Sequence, residues 1–236
     1  MEKDERQLIV NQLKARVAPD EIISTMEEYK QLMTKYGCAI REVRTKFEVL
    51  NDELSIKSNR NPIHAIHSRV KSPESVLDKL NRKNLSFTLE NIQQELSDVA
   101  GIRVICDFVD DIYEIADMLL KQDDIKLINY KDYIRAPKPN GYRSYHMIVE
   151  IPVFFSEGRE NLKVEVQLRT IAMDFWASLE HELRYKKDLD ESVSSSISAQ
   201  LLECASTIAD MDSKMQDIKN QLYPKYPVYE EIDEEE

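Results

Sequence analysis

Leu162–Thr170 reads LKVEVQLRT, and its strict alternation decides the fold class. Val164, Val166 and Leu168 fall on one face of a strand and Glu165, Gln167 and Arg169 on the other, so an acid, an amide and a guanidinium share one side of a sheet. Working outward, Ser97–Cys106 (SDVAGIRVIC) supplies a second strand, with Ile102, Val104 and Cys106 facing the core and Arg103 facing away. Gly101 is expected to permit a bend that brings Asp98 into the same cleft. Asp98 and Glu165 then become candidates for a hard divalent cation, which takes oxygen ligands and keeps substrate phosphates in the rest of its shell. The alternative is a pair of solvated acids.

A third segment, Lys131–His146, reads KDYIRAPKPNGYRSYH. Pro137-Lys138-Pro139 restricts the backbone, and Asn140-Gly141 is a turn signal whose glycine tolerates positive φ. The turn delivers Tyr142, Arg143 and His146 from a stiff mount. Basic, aromatic, amide and imidazole groups around one glycine suit a nucleotide; a plain hairpin turn followed by a solvated polar strand is the other reading.

Around these segments the pattern predicts a helix over 88–96, strand 99–106, helix 111–121, strands 126–131, 143–151 and 162–169, and helix 171–186. This is an α/β (α+β) chain, a mixed sheet with flanking helices. Thr170 is the expected N-cap of the last of these helices, with Ile171, Phe175, Trp176 and Leu179 as core and His181 at the surface. Toward the N-terminus, Ile22, Met26, Tyr29, Met33, Tyr36, Ile40, Val43, Phe47, Leu50 and Leu54 form a heptad seam, with Gly37 expected to loosen the helix. Ile197, Leu201, Cys204, Ile208, Met211, Met215, Ile218 and Leu222 form another. Each seam packs either on its own domain or on another helix, within or between chains. The expected organisation is a helical oligomerisation region at 1–56, a core at 57–190, a C-terminal helix at 191–224 and a disordered acidic tail at 225–236.

The net charge of −12 over 236 residues argues against a general nucleic-acid binder, even though six acids in Tyr229–Glu236 leave the remainder at −6. Lys57–Lys83 runs against that balance, with seven bases and two acids. Ser75, Lys79 and Arg82 recur at helical spacing after an extended RVKSP, with Pro73 suited to the first helical turn. They form either an anion site or a solvated basic helix. Three widely separated cysteines, Cys38, Cys106 and Cys204, exclude a close-spaced zinc pair and suit a reducing compartment. The opening MEKDERQ lacks a charged-then-apolar leader, and no apolar run approaches the roughly twenty residues of a membrane helix. A soluble cytoplasmic protein is expected, with no membrane partner.

Taken in order, SDVAGIRV, DYIRAPKPNGYRSYH, VEVQLRT and AMDFWASLEHELRYKK resemble the synthetase domain of the RelA/SpoT alarmone synthetases, over about Pro62 to Lys187. The length and flanking helices resemble the stand-alone small synthetases. The resemblance implies a nucleotidyltransferase-like (polymerase β type) fold. It also implies transfer of the β,γ-diphosphate of ATP to the 3′-hydroxyl of GDP or GTP, giving ppGpp or pppGpp and AMP. It assigns Arg69 and Arg103 to the two faces of adenine and Lys71, Ser75, Lys79 and Arg82 to the ATP phosphates. Asp98 and Glu165 are assigned to catalysis and Mg²⁺. On the acceptor side it implies Tyr142 stacked on guanine, Lys131, Lys138 and His146 on phosphates, and Asn140 and Gln167 as neutral hydrogen-bonding groups. Arg143 either faces substrate or pairs with a nearby acid. The relatives form homotetramers, which the seams would serve.

Two departures are visible. Asp174 stands where RelQ-type relatives often carry Asn, which weakens a neutral guanine or ribose contact there. His64-Ala65-Ile66-His67 replaces a Glu-Phe-Val-Thr stretch that serves alarmone stimulation in those relatives, so the RelP-type branch is expected. No histidine is followed by Asp, so the hydrolase activity of bifunctional relatives is not expected. A nucleotidyltransferase acting on RNA or a small acceptor lacks its usual paired strand acids here. A non-catalytic nucleotide sensor would not need Asp98 and Glu165.

Overall fold

The computed structural model describes residues 19–58, 60–184 and 191–222, with side chains from Met26 onward in the first helix and from Ser195 in the last. The acidic tail and the Ile22 side chain lie outside the described residues. The elements are α1 (Pro19–Ser58), β1 (Ile63–Val70), α2 (Pro73–Arg82), α3 (Leu89–Glu95), β2 (Ala100–Cys106), α4 (Val109–Leu120), β3 (Lys126–Asp132), β4 (Tyr145–Phe155), β5 (Gly158–Thr170), α5 (Ile171–Arg184) and α6 (Glu191–Leu222).

One mixed five-stranded sheet runs β1-β2-β5-β4-β3. β2 and β5 are parallel, and the other pairs are antiparallel. The alternation of LKVEVQLRT is realised at the centre of the sheet, where Val164, Val166 and Leu168 are fully buried. They meet α1, whose Tyr29, Tyr36, Ile40, Val43 and Phe47 join the same core, and Leu50 is buried as well. The N-terminal seam is therefore buried on its own sheet, not on a second helical seam. Gly37 leaves α1 unbroken. Covering one sheet face leaves the opposite face free for polar side chains, and the site lies there.

Two further expectations are corrected. In α5 only Trp176 of the expected core is buried; Ile171, Phe175 and Leu179 are 46–60% exposed. Thr170 does cap α5, accepting from Met173 N at 3.1 Å, and this phase turns Met173, Trp176 and Ala177 inward. Arg60, one of the seven bases in the Lys57–Lys83 run, is taken up in an ion pair and not in an anion site. Its guanidinium pairs with the fully buried Asp111, as does Lys219 of α6 at 2.9 Å, and each cation lies within 5.5 Å of the Phe108 ring centroid. That cluster ties α6 to α4. No described helix is long and apolar enough to cross a membrane.

Candidate active site

Strand register builds the cleft. Arg69 lies opposite Gly101, His67 opposite Arg103, Gly101 opposite Glu165, Arg103 opposite Gln167, and Gln167 opposite His146. Paired residues share a face, so four strands present these groups side by side. The resulting cavity of roughly 280 Å³ is lined by His67, Ser68, Arg69, Asp98, Gly101, Ile102, Arg103, Glu165 and Gln167. Pairing is regular on both sides of β2 around Gly101, and the register shift against β1 lies at its far end, opposite Ile63 and Ala65. A Cβ at Gly101 would meet only Arg69 O, at 3.8 Å, so the glycine contributes open space between Arg69 and Glu165.

Asp98 precedes β2 and is reached by two lysines. Lys71 and Lys79 each place Nζ 2.6 Å from Oδ2. Its other oxygen, Oδ1, is buried and has no protein donor. Burial raises the pKa of this carboxyl, but the two ammonium groups outweigh it and hold Asp98 below the usual carboxylate range. Glu165 behaves alike: burial raises its pKa, and His146 together with Gln167 brings it down past its ordinary value. Both acids are thus ionised at neutral pH.

Arg169, Tyr142, His146 and Gln167 form a chain of contacts ending on Glu165. Arg169 Nη2 donates to the Tyr142 hydroxyl at 2.6 Å, and that hydroxyl lies 2.8 Å from His146 Nε2. Having accepted from Arg169, the hydroxyl can give its own hydrogen to Nε2, which leaves the imidazole proton on Nδ1. Nδ1 faces Glu165 Oε1 at 3.7 Å, and Gln167 donates to Oε2 at 2.9 Å. Lys138 places its ammonium 4.6 Å from the Tyr142 ring centroid and 4.7 Å from that of Tyr133. Gly141 adopts φ +88°, as the turn chemistry requires.

Other predicted residues are engaged in the scaffold. Asn140 Oδ1 accepts from Tyr142 N and its amide donates to Glu180, both at 3.2 Å. The Ser75 hydroxyl accepts from Ser72, whose Oγ caps α2. Arg82 bonds its own helix at Asp78 O, Arg143 reaches Ile134 O, and Lys131 is exposed on the edge strand. Asp174 is an ion-pair acceptor, 3.0 Å from Arg169 and 3.1 Å from Arg103. Arg103 Nε remains buried without a partner.

Arg169, Tyr133 and His67 were not singled out from sequence as site residues. Arg169 was legible as the next polar position after Glu165 and Gln167; its convergence on Tyr142, Gln167 and Asp174 was not. Tyr133 packs edge-on against both Tyr142 and His146.

This arrangement has close counterparts. The sequence signature described as "Region found in RelA / SpoT proteins" matches residues 68–190. The GTP pyrophosphokinase YwaC of Bacillus subtilis is 41% identical over 203 residues, covering 86% of this chain and 96% of that protein. The crystal structure of small alarmone synthetase 2 from Bacillus subtilis superposes with a TM-score of 0.73 at 40% identity, covering 82% of this chain and 99% of the other. Small alarmone synthetase 1 from the same organism, bound to its product pppGpp, gives a TM-score of 0.74 at 32% identity, covering 83% and 98%.

Proposed function

The chain belongs to the RelA/SpoT family, and from that premise we propose that it is a (p)ppGpp synthetase, a GTP diphosphokinase using ATP and GDP or GTP. One observation carries the reading: Arg69 and Arg103 line the cleft with Asp98 and Glu165, Lys71 and Lys79 both pair with Asp98, and Arg169 joins Arg103 on Asp174, five cations to three carboxylates. An excess of cations over carboxylates calls for an anionic ligand, and a triphosphate supplies it.

In the reaction the 3′-oxygen of the acceptor attacks the β-phosphorus of ATP, the α,β-bridging bond breaks, and AMP leaves with the bonding pair. Positioning and charge neutralisation dominate such a transfer. Arg69 and Arg103 hold adenine. Lys71 and Lys79 exchange Asp98 for the ATP phosphates, which frees a carboxylate that already has one unpartnered oxygen. That oxygen, Glu165 and the open space at Gly101 fit Mg²⁺, whose other ligands would be phosphates and water. Among the described residues no cluster of three or more His, Cys, Asp or Glu could hold a metal, so the two carboxylates would hold the ion only with substrate phosphates and water completing its shell. When bound, the ion would neutralise charge developing on the phosphates.

Glu165 receives the hydroxyl proton, and His146 fixes its orientation. Tyr142 offers a ring to guanine, while Lys138, once displaced from that ring, turns to acceptor phosphates. For assembly, Met211, Met215, Ile218 and Leu222 leave α6 with an apolar outer row that is 49–69% exposed. A homo-oligomer, a tetramer by family likeness, would cover it. The sparse free cysteines suit the cytoplasm. Incubating the protein with Mg²⁺, ATP and GDP, then separating the nucleotides, should give AMP and ppGpp in equal amounts; GDP left unchanged while ATP is consumed would overturn the assignment.

A further inference from the structure

The acceptor loop does not stand on the sheet alone; it leans on α6. At Gly141 a Cβ would lie 2.5 Å from Ala205 Cβ and 3.2 Å from Leu202 Cδ1, so loop backbone and helix are already in contact. Tyr142 packs against the buried trio Trp176, Ala177 and Ala205, together with Leu201 and Ile208. Trp176 Nε1 donates to Leu201 O at 2.9 Å. One helical turn beyond Ile208, the buried Asp212 accepts from Thr170 Oγ1 at 2.7 Å. Asp212 also lies within electrostatic reach of Arg143 on the loop. The stripe Ala205, Ile208, Asp212 therefore touches the turn, the ring-bearing segment and the end of the strand that carries Glu165 and Gln167.

We infer that α6 is a positioning element for the acceptor nucleotide: Ala205 sets the height of the Gly141 turn, and Asp212 fixes the base of the loop at Thr170 and Arg143. The inference rests on the acceptor assignment of the loop made above. No residue of α6 lines the ATP half of the cleft, whose walls come from β1, β2, β5 and Asp98. Disturbing its inner stripe should thus be felt by GDP or GTP and not by ATP. A residue that merely held the fold together would affect both.

The test uses the full chain with two substitutions. Ala205→Leu pushes the turn outward and should raise KM for GDP by about tenfold or more, leaving KM for ATP and the Kd of a non-hydrolysable ATP analogue within about twofold. Asp212→Asn keeps an oxygen for the Thr170 hydroxyl but removes the charge facing Arg143, and should raise KM for GDP by about three- to tenfold. Burial holds the Asp212 carboxyl above the usual range, so removing its charge should leave the thermal midpoint unchanged or higher. A GDP defect without a stability defect separates positioning from structure. If Ala205→Leu does not fold, Asp212→Asn decides alone. An unchanged KM for GDP, or equal losses for ATP and GDP in a folded variant, overturns the inference. Should the wild-type protein make no alarmone, the proposed reaction falls, and GDP calorimetry on the same variants still decides the role of α6.

Discussion

Tyr142→Ala is the substitution whose magnitude follows most directly from the geometry. Stacking of a base on an aromatic side chain contributes about 1–3 kcal/mol. In the structure Lys138 already sits 4.6 Å from the ring centroid, a cation–π contact of about 0.5–1 kcal/mol at a partly exposed site. Guanine has to displace that ammonium, so stacking wins by a net of about 1–2 kcal/mol, which corresponds to about a five- to thirtyfold rise in KM for GDP or GTP. KM for ATP should change little, because the ATP half of the cleft does not use this ring. Tyr142→Phe keeps the ring and loses only the hydroxyl contacts to Arg169 and His146, so its effect on acceptor KM should be clearly smaller. Steady-state kinetics with each substrate varied in turn reads both variants. A Phe variant as impaired as Ala toward GDP would refute the reasoning, since the hydroxyl chain and not the ring face would then carry acceptor binding.

Asp98→Ala should abolish Mg²⁺-dependent synthesis while circular dichroism stays native, because losing a metal ligand removes several kcal/mol of charge stabilisation; near-wild-type initial rates at saturating Mg²⁺ would contradict the two-carboxylate assignment. Asp98 and Glu165 are both held below their ordinary values of 3.8 and 4.5, so the stability they contribute is present above those values and is lost as pH falls through the lower folded ones. Urea unfolding followed from about pH 5 to pH 3 should therefore show a shallower decline for Glu165→Gln than for wild type, and identical slopes would count against the ion pairing. Ile218→Lys, on the exposed row of α6, should reduce the mass seen by light scattering with helicity retained. Ile40→Lys should instead unfold the chain, because Ile40 is 6% exposed in the core and a buried unpaired charge costs at least a few kcal/mol. An unchanged mass for Ile218→Lys would remove α6 from the assembly interface.

The fold was legible where a single segment carries its own constraint. LKVEVQLRT could only be a strand with one covered face, and SDVAGIRV its neighbour. The strands β4 and β5 proved longer than their patterns suggested because they meet in a hairpin at Ser156-Glu157, whose polar residues and Gly158 at φ +133° read as loop. Periodicity showed that α1 buries a stripe without showing against what: a sheet face and a partner helix ask for the same spacing. In α6 it ran across both faces: Leu201 and Ile208 pack inward, while Cys204, Met211, Met215, Ile218 and Leu222 are exposed. The buried stripe holds Ala205, Asp212 and Lys219, small and charged groups whose partners Gly141, Thr170 and Asp111 lie far away in sequence. Such contacts have no signature in one chain. The same holds at the site, where Asp98, Glu165, Tyr142 and His146 were visible as residue types, while the Arg169–Tyr142–His146–Glu165 order depends on β4, β5 and the loop before β4 lying in register.

The most direct measurement follows the phosphorus atoms. With Mg²⁺ and GDP, the protein is given ATP labelled at the γ-position in one reaction and at the α-position in another, and the nucleotides are separated. Diphosphate transfer by this cleft predicts the γ-label in ppGpp and the α-label in AMP alone, with both products missing when Glu165→Ala replaces the wild type. An α-label joined to the acceptor with pyrophosphate released, or γ-label freed as phosphate, would contradict the account.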